Sequence, residues 1–297
     1  MTRTFARSIL ALALAAAFAQ AAAAQHKVDL KLRLVVGQTF KLRQSVAKIT
    51  TATIDNRAVT GNENFTTGLV FNVQKVDPDG ATVLKVTYDQ PSLAVSGSAV
   101  QGLEQLVQAI GRAVAGLHDQ SFTVVLSPSG AVRGLEGSRE CLQAAMRNLS
   151  GVPEPLRAII EQALAQSVDE QVVREGMAGI FHVLPDGPVA IDERWSRQSG
   201  VSAQGVVETY EVFYRVLESK DGVSQIKTYR QVKNSEVASA LGLSYSMSGV
   251  AEGMLYVEES TGVVKRGSFK LNLSGTAQSG GKSAPVKSTA TGTVERY

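Results

Sequence analysis

Residues that could do chemistry are few in this chain, and their spacing keeps them apart. The three histidines are His26, His118 and His182, and no two are spaced to bring their imidazoles to one metal ion, so no His-based zinc site is expected. The single cysteine, Cys141, sits with Leu142, Ala145 and Met146 at helical spacing and reads as a buried small hydrophobe, not a nucleophile. Ser45 to Lys48 and Ser224 to Lys227 both match the Ser-x-x-Lys tetrad of penicillin-interacting enzymes. That tetrad is helical, whereas both copies here lie in alternating runs, where residues three apart face opposite sides. Asp77-Pro78-Asp79-Gly80 lacks the spaced ligands of a calcium loop and reads as a turn. Asp192 and Glu193 are adjacent carboxylates that diverge in an extended segment. There is no Gly-x-Ser-x-Gly elbow and no Gly-x-x-x-x-Gly-Lys phosphate loop. With no nucleophile, base and orienting group in view together, the expectation is a protein that is not an enzyme, with no catalytic residue, metal or cofactor.

The elements that would position a site are clearer. Leu69, Phe71 and Val73 alternate into the Asp77–Gly80 turn, and Val83, Leu84, Val86 and Tyr88 carry the return strand. A second hairpin repeats the pattern around Asp221-Gly222. Val28 to Leu34 alternates as a strand, Phe40 to Val46 as another, and Gly61-Asn62-Glu63-Asn64 reads as a turn. From residue 101 the period changes. Leu103, Leu106, Val107, Ile110 and Val114 recur at spacings of three and four, which predicts an amphipathic helix ending near His118. Strand returns from Ser121 to Leu135 with a turn at Ser127–Gly130. Three helices follow: one capped by Ser138, one opening at Pro153 and Pro155, and one starting at the capping box Ser167–Glu170. Phe181 to Leu184, with His182, reads as strand again, and strands continue to the C-terminus, with turns at 260–262 and 278–285.

Composition sets the frame. A chain of 297 residues, 44% hydrophobic, is long enough for a large core. The net charge of +3 gives no electrostatic footprint for nucleic acid. Arg3 and Arg7, the apolar run Ile9 to Phe18 and small residues through Ala24 form the pattern of a secretory signal, cleaved after Ala22 or Ala24. The expected location is periplasmic or secreted, with no transmembrane span after removal of the signal. An exported chain with one cysteine has no internal disulfide, so the fold must rest on its core.

Three landmarks recur in order. Gly37–Phe40 corresponds to Asp192–Trp195, Asp79-Gly80 with Lys85–Tyr88 to Asp221-Gly222 with Lys227–Tyr229, and Phe122–Gly134 to Leu255–Gly267. This favours an internal duplication. The fold class read from these patterns is α+β and mainly antiparallel β. Two similar β-rich halves would form a curved sheet or half-barrel, with amphipathic helices on one face. The divisions are 1–24 for the signal, 25–137 for the first half with one helix, 138–180 for a helical insert and 181–297 for the second half.

The signal, LRLVVGQTFKLRQS, the hairpin VQKVDPDGATVLKVTYD and the later LPDGPVAIDERWS together resemble a family of exported, planctomycete-type bacterial proteins known only as a domain of unknown function. That resemblance implies a fold and brings no activity. The function expected is that of an exported binding module, holding an apolar or lipid-like ligand between sheet and helix, with Leu103, Leu106, Val107, Ile110 and Val114 as its candidate lining. The alternative is a structural or protein-interaction component of the cell envelope, whose partner would be another envelope protein.

Overall fold

The computed structural model describes residues 27–54, 56–168, 170–203, 206–238, 244–279 and 282–297. The signal segment, His26 and Asp169 of the capping box lie outside them. In chain order the elements are β1 (Lys27–Val28), β2 (Thr39–Ile54), β3 (Arg57–Val76), β4 (Thr82–Ser96), α1 (Glu104–Ala115), β5 (Ser121–Leu126), β6 (Val132–Glu136), α2 (Ser138–Arg147), α3 (Glu154–Val168), α4 (Glu170–Phe181), β7 (Val189–Ala190), β8 (Arg194–Ala203), β9 (Val206–Lys220), β10 (Val223–Ala238), β11 (Ser244–Glu258), β12 (Val264–Ser279) and β13 (Lys282–Arg296). The fold is α+β and mostly antiparallel β, as the alternation predicts.

Eleven strands make one curved, unclosed sheet in the order β6-β5-β4-β3-β2-β13-β12-β11-β10-β9-β8. Each half of the chain supplies a meander, and β2 joins the two by pairing with β13 from Leu42↔Arg296 to Ala52↔Val286. The predicted turns fall where Gly and Asp allow them. Asp221 and Gly222 both take left-handed φ, 52° and 72°, the pair that a two-residue hairpin needs.

The even-numbered residues of β2 face inward, and Phe40 and Leu42 are buried with Phe71, Val73, Leu84, Val86, Phe122 and Val124. Against this face α1 presents Ala109, Ala113 and Val114, and α2 presents Cys141 and Ala145. Phe40 and Phe71 stack at 4.8 Å, and the Phe181 ring meets Phe71 edge-on at 5.4 Å. A second core cluster, with Val28, Leu30, Leu184, Tyr214, Val216 and Ile226, fills the same end of the sheet in the other half. Between them α4 reaches both free edges. Arg174 Nη1 donates to the Val132 carbonyl of β6 at 3.0 Å, while the Glu175 carboxylate accepts from the Ser199 hydroxyl of β8.

Four local expectations are corrected. Gly61–Asn64 is no turn but lies inside β3, laddered to β2 on one side and, from Asn62, to β4 on the other; the chain reverses earlier, where Asn56 has φ 61°. Of Val28–Leu34 only Lys27–Val28 pairs, with β7, because no strand flanks the rest, although Val28, Leu30 and Leu34 still alternate into the core. Phe181 closes α4 and is not the start of a strand, so His182 lies at a helix end: its N–H donates to the Ala178 carbonyl at 2.8 Å. Val183 and Leu184 are both buried, which an alternating strand would not allow. The residue before α2 that caps it is Gly137 in the left-handed region, with no side-chain bond, and not Ser138. The turn expected at 278–285 falls where the chain reverses: β12 ends at Ser279 and β13 returns from Lys282, paired with it.

Candidate functional site

The five residues expected to line a ligand space fall in different environments. Val114 is buried in the main core. Leu106 and Ile110 are half-buried and pack on the cluster that includes Phe71, Val73 and Val86. Val107 is half-buried, and Leu103 stands 40% exposed at the start of α1. The stripe therefore plugs the sheet along most of its length. Beside it a groove of about 530 Å³ runs between Gln108, Gly111, Arg112 and Ala115 of α1 and Pro91–Leu93 of β4, and none of the five lines it.

What the structure brings together is the part of the inner face beyond the helices. Strands β2, β3, β10, β11, β12 and β13 run on past the plug, pairing as far as Ile54↔Arg57, Ala238↔Ser244 and Ser279↔Lys282. The helices pack chiefly on β4, β5, β6 and β8. The uncovered inner face is thus a bowl with walls of long strands.

Its floor is set by register. Phe269 pairs with Gly253 on β11 and with Gly292 on β13, and Gly292 pairs with Val46, which shares the inward face with Leu42. The Phe269 ring lies directly over Gly292, in the space that a Cβ there would take. The ring faces inward yet remains 40% exposed. Around it on the same face Val46 and Leu271 are only half-buried, unlike Phe40 and Leu42 further down β2, which the helices cover. The next inward row of the wall holds Ala251, Leu271 and Ala290 between two charged flanks. On one side Lys48 and Glu63 pair at 3.3 Å, both partly exposed. On the other the Arg230 guanidinium stacks on Tyr210 at 3.3 Å from the ring centroid. Higher still, Thr50 and Ser288 share a hydrogen bond of 3.1 Å.

The polar groups at the α4–β8 seam are already engaged. Arg197 donates to both carboxylate oxygens of Asp186 at 2.9 Å and, through Nε, to the Leu184 carbonyl at 3.1 Å. That bond holds the Asp186 carboxyl below the ordinary carboxylate range. Burial first, and then the Arg197 charge, lower the His182 pKa below its usual 6.5. Burial pushes the Cys141 thiol up to about 11, which leaves it a poor nucleophile. Ser45 and Lys48 face opposite sides of β2, as the alternation predicts: Ser45 meets Thr66, and Lys48 meets Glu63. Ser224 bonds Glu259, while Lys227 pairs with Glu252 at 3.9 Å. Among the described residues no three of His, Cys, Asp and Glu converge to hold a metal ion, and no helix is long and apolar enough to cross a membrane.

The bowl was not read from the sequence. Phe269, Leu271 and Leu273 alternate with Ser268, Lys270 and Asn272, which marks a one-sided strand. The missing signal is where the helices stop.

Comparison with known families places the chain. Residues 80–264 match the model of a family of unknown function, DUF6263. The chain belongs to this family. The match takes in the whole of the first hairpin's return strand and LPDGPVAIDERWS, whereas LRLVVGQTFKLRQS precedes it. No curated protein matches the chain. Among solved structures, one describing lipid–protein interactions in lipovitellin is similar over 89% of this chain at 8% identity and a TM-score of 0.45. The chain spans 25% of that protein's length. An outer membrane channel from Pseudomonas putida F1 is similar over 90% of this chain and 97% of its own, at 9% identity and a TM-score of 0.24. The translocator domain of the autotransporter NalP from Neisseria meningitidis is similar over 89% and 90%, at 9% identity and a TM-score of 0.21.

Proposed function

We propose that this member of DUF6263 is an exported, non-catalytic protein that holds an apolar or lipid-like ligand on the uncovered inner face of its sheet. The observation that carries the reading is Phe269, an inward aromatic left 40% exposed over Gly292. Leu271 and Leu273, half-buried on the same strand and face, extend the apolar wall away from the plug. Water against this wall gains little, and an acyl chain or comparable tail would remove it. The leader pattern of residues 1–24 supports export to the envelope or beyond.

The helices enter this reading as a plug that leaves the wall uncovered, in place of the lining first expected of Leu103–Val114. Native mass spectrometry of protein exported by its own signal tests it. A retained mass of lipid size is the expected result, lost when the half-buried wall residue Ala251 is replaced by Trp to fill the space. Protein that carries no such mass, and that binds no N-phenylnaphthylamine in solution, would overturn it.

A further inference from the structure

The bowl opens at the end of the molecule where the β2–β3 hairpin turns. Ile54 stands at that tip, paired with Arg57 and 47% exposed. Leu103, 40% exposed, belongs to the same end. It follows the short turn Ser98–Val100, which is pinned to β3 by the Thr60 N–H donating to the Ser98 hydroxyl at 2.9 Å, three residues from Arg57. Lys282 opens β13 beside the tip, because β13 runs antiparallel to β2 with Val286 opposite Ala52. Arg57 and Lys282 are both exposed. Glu104, the acidic neighbour of Leu103, is turned back to accept the Gly102 N–H at 3.0 Å.

Single exposed apolar side chains are ordinary. These two differ in place: both stand at the end where the inner face runs on past the helices, with exposed Arg57 and Lys282 beside Ile54. We propose that this rim docks on a lipid bilayer carrying anionic headgroups, with Ile54 and Leu103 entering the interface and Arg57 and Lys282 meeting the headgroups. The inference rests on the ligand reading above, since docking would let a tail pass from bilayer to bowl without crossing water. Apolar insertion and cationic attraction are the two forces that hold peripheral proteins at such surfaces, and each can be removed separately.

The test is flotation of the full exported chain with vesicles of phosphatidylcholine, with and without phosphatidylglycerol, at low and high salt. The wild type should float with the mixed vesicles and less with phosphatidylcholine alone, and salt should weaken the difference. The double variant Ile54→Ser, Leu103→Ser should lose at least about tenfold in partitioning, since two interfacial side chains are removed. Its binding of N-phenylnaphthylamine in solution should stay unchanged, because neither position lines the wall around Phe269, and its melting temperature should fall only as far as the covered part of the two side chains requires. Arg57→Gln with Lys282→Gln should abolish the preference for phosphatidylglycerol alone. A wild type that floats with neither vesicle, or a double variant that floats as well as the wild type, would overturn the docking rim. Failure of the ligand reading looks different: the wild type would float yet bind no dye.

Discussion

Replacing Phe269 by Ala divides one side chain between two measurable quantities. A phenylalanine buries about 150–250 Å² when fully covered. With 40% of the residue exposed, roughly 60–100 Å² is left for a ligand to cover, and roughly 90–150 Å² is already covered by the sheet. At about 25 cal/mol per Å², the exposed share gives about 1.5–2.5 kcal/mol of binding, or about 10–60-fold in affinity. The covered share gives about 2–4 kcal/mol of folding stability, which leaves a domain of ordinary stability folded at room temperature. The assay is titration of N-phenylnaphthylamine into wild type and Phe269→Ala, beside urea unfolding followed by circular dichroism. The expected outcome is a loss in both readouts. A folded Phe269→Ala that loses stability but binds the dye as tightly as the wild type would refute the assignment of the inner wall as the site.

Three further outcomes follow from the geometry. Phe181→Ala, at a fully buried ring packed on Phe40 and Phe71, should cost about 3–5 kcal/mol in the same urea experiment, with dye affinity per folded molecule unchanged. Gly111 and Gly116 should respond oppositely to alanine. A Cβ at Gly111 meets only the Leu93 carbonyl oxygen at 3.4 Å, so Gly111→Ala should raise stability by about 0.5–1 kcal/mol through helix propensity. A Cβ at Gly116 would lie 2.7 Å from Asn148 Nδ2 and 3.1 Å from the Ala145 Cα, so Gly116→Ala should lower the melting temperature. The wild-type melting temperature should fall as pH drops below 6.5, in part through His182: its folded pKa is lowered, so in that window the unfolded chain binds more protons and stability is lost. His182→Gln should show a shallower fall between pH 7 and 5.

Much of the sheet was legible because antiparallel strands with one wet face alternate at period two, and because Asp77–Gly80, Ser127–Gly130 and Asp221-Gly222 carry turn chemistry. The stripe Leu106, Ile110 and Val114 predicted α1 and its inward side equally well. What failed depended on distant partners. Gly61–Asn64 carries the composition of a turn, but ladders on both sides hold it extended. Phe181–Leu184 is apolar apart from His182, and only its packing between two core clusters decides that it ends a helix. Phe269 could be assigned to a strand but not to an uncovered wall, because its exposure is fixed by helices that end 88 residues earlier in the chain.

The β2–β13 ladder has a consequence for the order of assembly. It joins the first long strand to the last across more than two hundred residues, and it sits in the middle of the sheet. Closing so long a loop carries its entropy cost before any contact repays it, so this central seam should form late and slowly. Until residues 282–296 arrive, the chain can build two separate meanders but not the common bowl. A chain read as a substrate for export benefits from that delay, because translocation through a narrow channel needs a chain that has not yet folded. The strand that completes the structure is made after both strands it must pair with.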